Sequence, residues 1–458
     1  MRRTATPKLG AYAGLAALGL LGGLVLGRPE IVALAAPFAL YVLVGMLAAA
    51  RPELEVAVVL GRDRMLEGDE FAVRIEIESE QTVTEVEVGL ELPAGVILVE
   101  GDNTATLRLE RDELMPLELR LGADHWGAYL VGEVAVRARD AFGLFLHEQE
   151  LDLRRPLKVY PRAEALRNVV RPRETQVFSG NQVARVKGEG IEFADLRPFV
   201  PGDRIRRINW RASARRAELW VNEHHPERNA DVVVFLDSFT EARRPVSSAR
   251  KPLAPRLPIR LRRTPERGSD NVQSASQVIA AAESTLDQSV RAAASLLAGY
   301  VGQRDRVGFV SFGGILRWLQ PSTGVAQLYR VVDALLDTEI TLNYAWKGID
   351  VIPPGTLPPQ ALVIALTPLL DERSATALLD LRARGFDLAV VDVSPVPYAD
   401  PGRGKLEELA YRLWKLRREV VRARYERAGV AIVEWREGRP LVAALEEVSA
   451  FRRRARYA

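Results

Sequence analysis

The chain has no cysteine in 458 residues. That excludes disulfides, thiolate metal sites and a cysteine nucleophile. Histidine is nearly as scarce, with only His125, His147, His224 and His225. The last two are adjacent, so in a strand they point to opposite faces and do not chelate one ion together. A zinc site is therefore not expected. No Gly-x-Ser-x-Gly elbow surrounds a serine, although counting alone leaves a Ser-His-Asp triad open. Lys187-Gly188-Glu189-Gly190 lacks the glycine spacing and the Lys-Ser/Thr ending of a phosphate loop. The formal net charge is only +3, so no overall polycation marks a dedicated nucleic-acid binder.

Charge is also missing from two N-terminal stretches. Leu9 to Gly27 is an uncharged run of Leu, Ala and Gly, and Ile31 to Ala50 is a second. Each approaches the ~20 residues that cross a bilayer as a helix. Arg28-Pro29-Glu30 separates them, with a proline that breaks helix. Residues 1–52 read as a transmembrane helical hairpin. Arg2, Arg3 and Lys8 precede the first span and Arg51 follows the second, so both ends are expected in the cytoplasm. A cleaved signal peptide also fits an Arg-rich start and one apolar run, but leaves the second run unexplained. The expected location is the cytoplasmic (inner) membrane, with the bulk of the chain cytoplasmic.

Residues 53–161 read as all-β. Phe71, Val73, Ile75 and Ile77 alternate with Arg74, Glu76 and Glu78; Leu117, Leu119 and Leu121 alternate with Glu118 and Arg120. Such alternation gives strands with one buried face, and short strands between turn signals suggest an immunoglobulin-like β-sandwich. Residues 231–458 read as α/β. Val232 to Leu236 is an apolar run ending at Asp237, the pattern of a buried parallel strand. Further strands are expected near 307–310, 361–364, 388–391 and 430–433. A helix is expected from about Ala275 to Val301, with Val278, Ala282, Leu286, Val290 and Ala294 on one face. Another runs from about Gly404 to Arg427, with Leu406, Leu409, Leu413, Leu416 and Val420 packed on the sheet. The alternation implies a doubly wound, mostly parallel sheet. Residues of about 243–274, rich in Arg, Pro and Ser, read as a flexible insertion.

Between these regions, residues 162–230 are dense in Arg, Gly and Pro. They carry an unusual string from Gly190 to Arg215 that includes Glu192, Phe193, Asp195, Leu196, Arg197, Phe199, Pro201, Gly202, Asp203, Arg207, Ile208, Trp210 and Ser213. Pro201-Gly202-Asp203 is a turn. Arg197, Arg207 and Arg215 have Glu192, Asp195 and Asp203 as candidate bidentate partners. Trp210 offers a large area to bury and one N–H donor. Two readings stand: a partner-docking surface, or a structural clasp joining the flanking domains. For Arg207 and Trp210 the clasp is favoured, because both are costly to leave exposed.

This string resembles the signature of the bacterial domain-of-unknown-function family 58. Trp126-Gly127-Ala128-Tyr129, Asp140-Ala141-Phe142-Gly143-Leu144-Phe145 and Val159-Tyr160-Pro161 also look like that family. The resemblance implies a von Willebrand factor type A-like domain at the C-terminus and a MoxR-type AAA+ ATPase as partner. Such domains often hold Mg²⁺ through Asp-x-Ser-x-Ser, a Thr and a second Asp. Asp237 matches the first Asp, but Phe239 and Glu241 stand at the serine positions. Ser238 and Thr240 are one residue out of phase. Thr367 stands where the second Asp is expected, with Asp371 beyond it. These degenerate positions predict no working Mg²⁺ site, and no cofactor is expected.

Arg204, Arg206, Arg207, Arg211, Arg215 and Arg216 form a basic cluster, and Arg452, Arg453, Arg454 and Arg456 another. Nucleic acid and anionic lipid are possible targets for them, but no groove-reading motif accompanies either cluster. They read as solvated faces and ion pairs, with no specific nucleic acid as partner. The chain is thus expected to be a membrane-anchored adaptor and not an enzyme. The rival is a hydrolase with a carboxylate site near Asp203 and Asp237. Open α/β sheets bind ligands at the carboxyl ends of their strands, so the loops around Asp237-Ser238 and Thr367 are the first place to look for a partner.

Overall fold

The computed structural model describes residues 1–48, 51–166, 168–172, 192–200, 208–216, 218–225, 230–244, 283–341, 347–353, 356–359 and 361–454. Among these the chain divides into two compact units, one of residues Met1–Tyr160 and one that begins at Pro161.

The first unit opens with strand β1 (Arg2–Ala5), then helices α1 (Pro7–Leu26) and α2 (Pro29–Ala48). Both helices are long and apolar enough to cross a bilayer, with mean hydropathies of 1.9 and 2.4. Pro29, expected to break helix, is the first residue of α2. Its missing N–H has no intrahelical partner to lose there. The two helices meet through small residues. A Cβ on Gly19 would lie 2.5 Å from the Ala35 Cβ, and one on Gly23 would lie 2.5 Å from a Val32 methyl. Spaced four apart, these glycines form the small-residue seam that lets apolar helices approach closely.

Strands β2 (Leu54–Leu60), β3 (Arg64–Leu66), β4 (Glu70–Ser79), β5 (Val83–Glu91), β6 (Val96–Glu100), β7 (Thr104–Leu109), β8 (Met115–Ala123), β9 (Gly127–Arg139) and β10 (Phe145–Tyr160) follow. They form two sheets, ordered β1-β10-β9-β5-β7 and β2-β4-β8-β6, with β3 beside β10. The alternation places the core as the sequence predicts: Phe71, Val73, Ile75 and Ile77 are buried between the sheets.

β1 pairs antiparallel with β10, Arg2 opposite Glu148 and Ala5 opposite Phe145. The chain's first residues therefore belong to the sandwich. The turn Asp140–Phe145 is the socket for the hairpin. The Asp140 carboxylate accepts the Phe145 N–H at 2.7 Å, and Gly143 takes φ +66°. The Tyr41 hydroxyl and Lys8 ammonium donate to the Phe142 carbonyl at 2.7 and 3.0 Å. The Thr6 hydroxyl donates to the Gly143 carbonyl at 2.7 Å, and Gly45 leaves room for Leu144 and Phe142. Both ends of the hairpin are thus tied to one sandwich, which puts them on the same side of any membrane the hairpin crosses.

The second unit contains β11 (Glu192–Pro198), α3 (Trp210–Arg216), β12 (Trp220–His225), β13 (Asp231–Ser238), α4 (Thr285–Gly302), β14 (Arg306–Gly313), β15 (Arg317–Ser322) and α5 (Val325–Leu336). β16 (Leu362–Thr367), α6 (Glu372–Ala383), β17 (Asp387–Val393), α7 (Lys405–Arg427), β18 (Ala431–Trp435) and α8 (Leu441–Arg454) complete it. The main sheet is ordered β15-β14-β13-β16-β17-β18 and is parallel except for the edge strand β15. Every residue of β13, β16 and β17 is buried, as continuous apolar runs in a covered parallel sheet require.

Two expectations are corrected here. The helix expected from Ala275 starts at Thr285, because Ser284 and Asp287 form a reciprocal capping box. Leu286, Val290 and Ala294 lie buried on it, while Val278 and Ala282 lie outside the described residues, as does the expected insertion from 245 onwards. The apolar stripe of α7 does not pack on the sheet. Leu406, Leu409, Leu413, Leu416 and Val420 are 54–82% exposed, while Arg418 and Tyr425 are buried.

Candidate functional site

The order of the main sheet reverses between β13 and β16, and ligands of open α/β sheets bind at the carboxyl ends of the strands at such a point. Asp237 ends one side of this crevice and Thr367 ends the other. The Thr367 hydroxyl donates to one Asp237 oxygen at 2.6 Å, and the Phe239 N–H donates to the other at 3.1 Å. Thr367 in turn accepts the Leu369 N–H at 3.0 Å. Leu369 sits at φ +50°, a conformation disfavoured for a bulky side chain and held here by that bond and by Arg418, which donates to the Pro368 carbonyl at 2.6 Å. Burial pushes the Asp237 carboxyl up to about 6, against those hydrogen bonds.

Mg²⁺, the ion that the family resemblance associates with this place, does not fit these residues. Both Asp237 oxygens are already occupied by internal donors. Phe239 is buried and packs edge-on to Phe312 at 5.0 Å, with the Arg373 guanidinium 4.1 Å from its ring centre. The Ser238 hydroxyl pairs with that of Ser311 at 3.1 Å, and Glu241 pairs with Arg243. Thr240 is exposed. Asp371 caps α6 and holds Arg373 through both oxygens at 2.9 and 2.7 Å. That guanidinium keeps the Asp371 carboxyl below its usual range.

Asp237 and Ser238 are each 2% exposed and Thr367 is fully buried. These side chains are enclosed, and the surface at this strand end is formed by the loops around them.

The neighbouring strand end holds a buried ion pair absent from the sequence reading. Arg418 of α7 donates to Asp392 at 2.7 Å, and burial raises that carboxyl to about 6. Of the C-terminal arginines, read as solvated faces and ion pairs, Arg452 takes the ion-pair role. It is 7% exposed, pairs with Asp387 and donates to the Arg171 carbonyl at 3.1 Å.

The signature string supplies strand β11 and helix α3, and the strand after the helix, β12, returns antiparallel beside β11. β11 pairs with β12, Glu192 opposite His225 and Arg197 opposite Val221. Asn209 caps α3, its side chain accepting the Ala212 N–H at 3.0 Å. Ser213 is the pin: its buried hydroxyl donates to the Asn209 carbonyl at 2.8 Å and accepts the Trp220 N–H at 2.9 Å. Ser213 stood in the signature string without an assigned role, and Asn209, a common turn residue, was not singled out. Pro201, Gly202, Asp203 and Arg207 lie outside the described residues. Arg197 is half-buried and donates to the Pro198 carbonyl at 3.1 Å. Arg211 and Arg215 are exposed. Trp210, expected in a buried clasp, is 64% exposed. It is the first residue of α3.

Most of this module falls within a family match. Residues 195–251 match the family described as protein of unknown function DUF58. The uncharacterized protein YeaD of Bacillus subtilis (strain 168) is 28% identical over 153 residues, 32% of this chain and 38% of YeaD. The chain thus spans less than two-fifths of that relative's length. Among solved structures, the CARDB domain of a Pyrococcus furiosus protein aligns over 24% of this chain and 93% of its own, at 14% identity and a TM-score of 0.17. A FixG-related protein from Vibrio parahaemolyticus aligns over 23% and 95%, at 18% identity and a TM-score of 0.17.

Proposed function

We propose that the chain is a non-enzymatic interaction protein, anchored in the cytoplasmic membrane by α1 and α2, that works with a MoxR-type AAA+ ATPase from the cytoplasmic side. The N-terminal sandwich is read as immunoglobulin-like and the C-terminal sheet as von Willebrand A-like; the 3-2-1-4-5-6 order with one antiparallel edge strand supports the second assignment. The choice of ATPase rests on the family resemblance.

One observation carries the docking reading. Trp210 is 64% exposed on a helix held at its start by the Ser213 and Asn209 hydrogen bonds. Exposed tryptophan beside exposed arginine on a rigid element is the composition of an interface hot spot. The hydrolase reading draws on Asp237, whose raised pKa marks a candidate site. Burial accounts for that shift, and the carboxylate has no open face.

Affinity capture from native membranes, with and without ATP, tests the proposal. Trp210→Ala is expected to change folding stability by under about 0.5 kcal/mol, as exposed substitutions do, while capture of the ATPase is lost. A stable Trp210→Ala chain that captures the ATPase normally refutes the docking surface.

A further inference from the structure

Helix α7 carries two apolar stripes on opposite sides. The inner one includes Tyr425, fully buried, and Val421, packed on the core. The outer one is Leu406, Leu409, Leu413, Leu416 and Val420, respectively 82, 54, 58, 56 and 62% exposed. Its spacing of three, four, three and four residues is that of a coiled-coil seam, sustained along a 23-residue helix. Solvent-exposed helix faces are normally polar, so this seam is built to be covered.

The charges beside the seam select what covers it. Along one flank, at seven-residue intervals, stand Lys405, Arg412, Glu419 and Glu426, all exposed. The run is two bases, then two acids. An antiparallel copy that sets Leu413 against Leu416 and Leu409 against Val420 brings Lys405 to Glu426 and Arg412 to Glu419, each twice by symmetry. The other flank then sets Ala410 against Arg417. A parallel copy instead brings Arg412 to Arg417, two like charges, and gains only Glu419 with Arg424. An anionic membrane surface meets Glu419 and Glu426 directly beside the stripe. We infer that α7 pairs antiparallel with α7 of a second copy of this chain, through an isologous two-fold contact that buries the outer stripe.

The full chain in detergent or nanodiscs, weighed by light scattering across a range of concentrations, tests this. The wild type is expected to be a dimer and Leu413→Glu a monomer. Arg412→Glu sets acid against acid at both symmetric contacts and is expected to weaken the dimer about tenfold; the exchange Arg412→Glu with Glu419→Arg restores it. Because the chain has no cysteine, single cysteines report register. Leu409→Cys is expected to cross-link to Val420→Cys and not to another Leu409→Cys. A chain that stays monomeric, a charge exchange that fails to restore pairing, or cross-links between two 409 positions overturns the inference. So does protection of α7 amides that needs anionic lipid while the mass stays that of a monomer, which assigns the stripe to the bilayer.

Discussion

Replacing Asp237 by Asn is expected to stabilise the second unit at neutral pH. The Asp237 side chain is fully enclosed, and burial lifts its carboxyl from an ordinary 3.8 to about 6. The folded chain thus holds this proton more tightly than the unfolded chain does. Stability from that difference is complete below about pH 4, falls as pH rises from 4 to 6, and is absent above. A shift of about two pH units corresponds to on the order of 3 kcal/mol. Asn has the same shape and no charge to desolvate. Its carbonyl accepts the Phe239 N–H, and its amide faces the Thr367 oxygen, whose hydroxyl turns to donate elsewhere. Exchanging the hydrogen bonds of the protonated carboxyl for those of the amide costs about 1 kcal/mol. Because Asn does not titrate, that loss of about 1 kcal/mol at pH 4 becomes a net gain of about 2 kcal/mol at pH 7.5. Amide exchange of β13 and β16 peptides, read by mass spectrometry between pH 4.5 and 8, measures it. Asp305 and Asp392, also raised to about 6 by burial, keep their share of the slope in both chains. If Asp237→Asn is less stable at pH 7.5 and the slope is unchanged, the carboxylate is ionised and held by a cation. The sealed-crevice account, and with it the argument against Mg²⁺, then fails.

Arg418→Met strands the buried Asp392 carboxylate and is expected to cost about 3–5 kcal/mol, most of it recovered when Asp392→Leu is added; chemical unfolding of the four chains of this cycle measures both. Tyr41→Phe removes the hydroxyl that binds the Phe142 carbonyl at 2.7 Å and meets Lys8 at the same distance. It is expected to speed protease cleavage around the 140–145 turn and to leave the second unit unchanged. A phosphatase fused after Ala458 is expected to be inactive, and a reporter fused before Arg2 must give the same side, because β1 is a strand of the sandwich; opposite readings from the two fusions contradict that strand pairing.

The strands of the main sheet were legible because burial on both faces leaves a continuous apolar run, as from Val232 to Leu236, that nothing else explains. The hairpin was legible from length alone. Its docking was not: the bonds of Thr6, Lys8 and Tyr41 join residues more than 100 positions apart. Local pattern carries no trace of such pairs. The Asp140–Phe145 motif stood out as a string and shows its use as a socket only when the chain closes on it. The crevice shows the same limit of local pattern. Asp237 and Thr367 occupy positions where an ion or partner is reached in an open sheet, and only the course of the 368–373 loop decides that they are shut.

Helix α7 shows where periodicity stops informing. Spacing of three and four identifies a stripe, but a long helix can carry two, and residues two positions apart lie about 200° apart around the axis. Leu413 and Leu416 are more apolar than Arg418 and Tyr425, so transfer energy alone puts the leucine side inward. The fold does the reverse because Asp392 already lies buried at the strand end and needs a cation. Arg418 supplies it at 2.7 Å, and the buried Tyr425 donates to the Ala375 carbonyl at 2.8 Å. Leaving Asp392 unpaired costs about 3–5 kcal/mol, about what one or two fully buried leucines return at about 1.5–3 kcal/mol each. The pair thus accounts for the rotation of the helix only together with burial of the outer stripe, which a second helix of matching charge supplies.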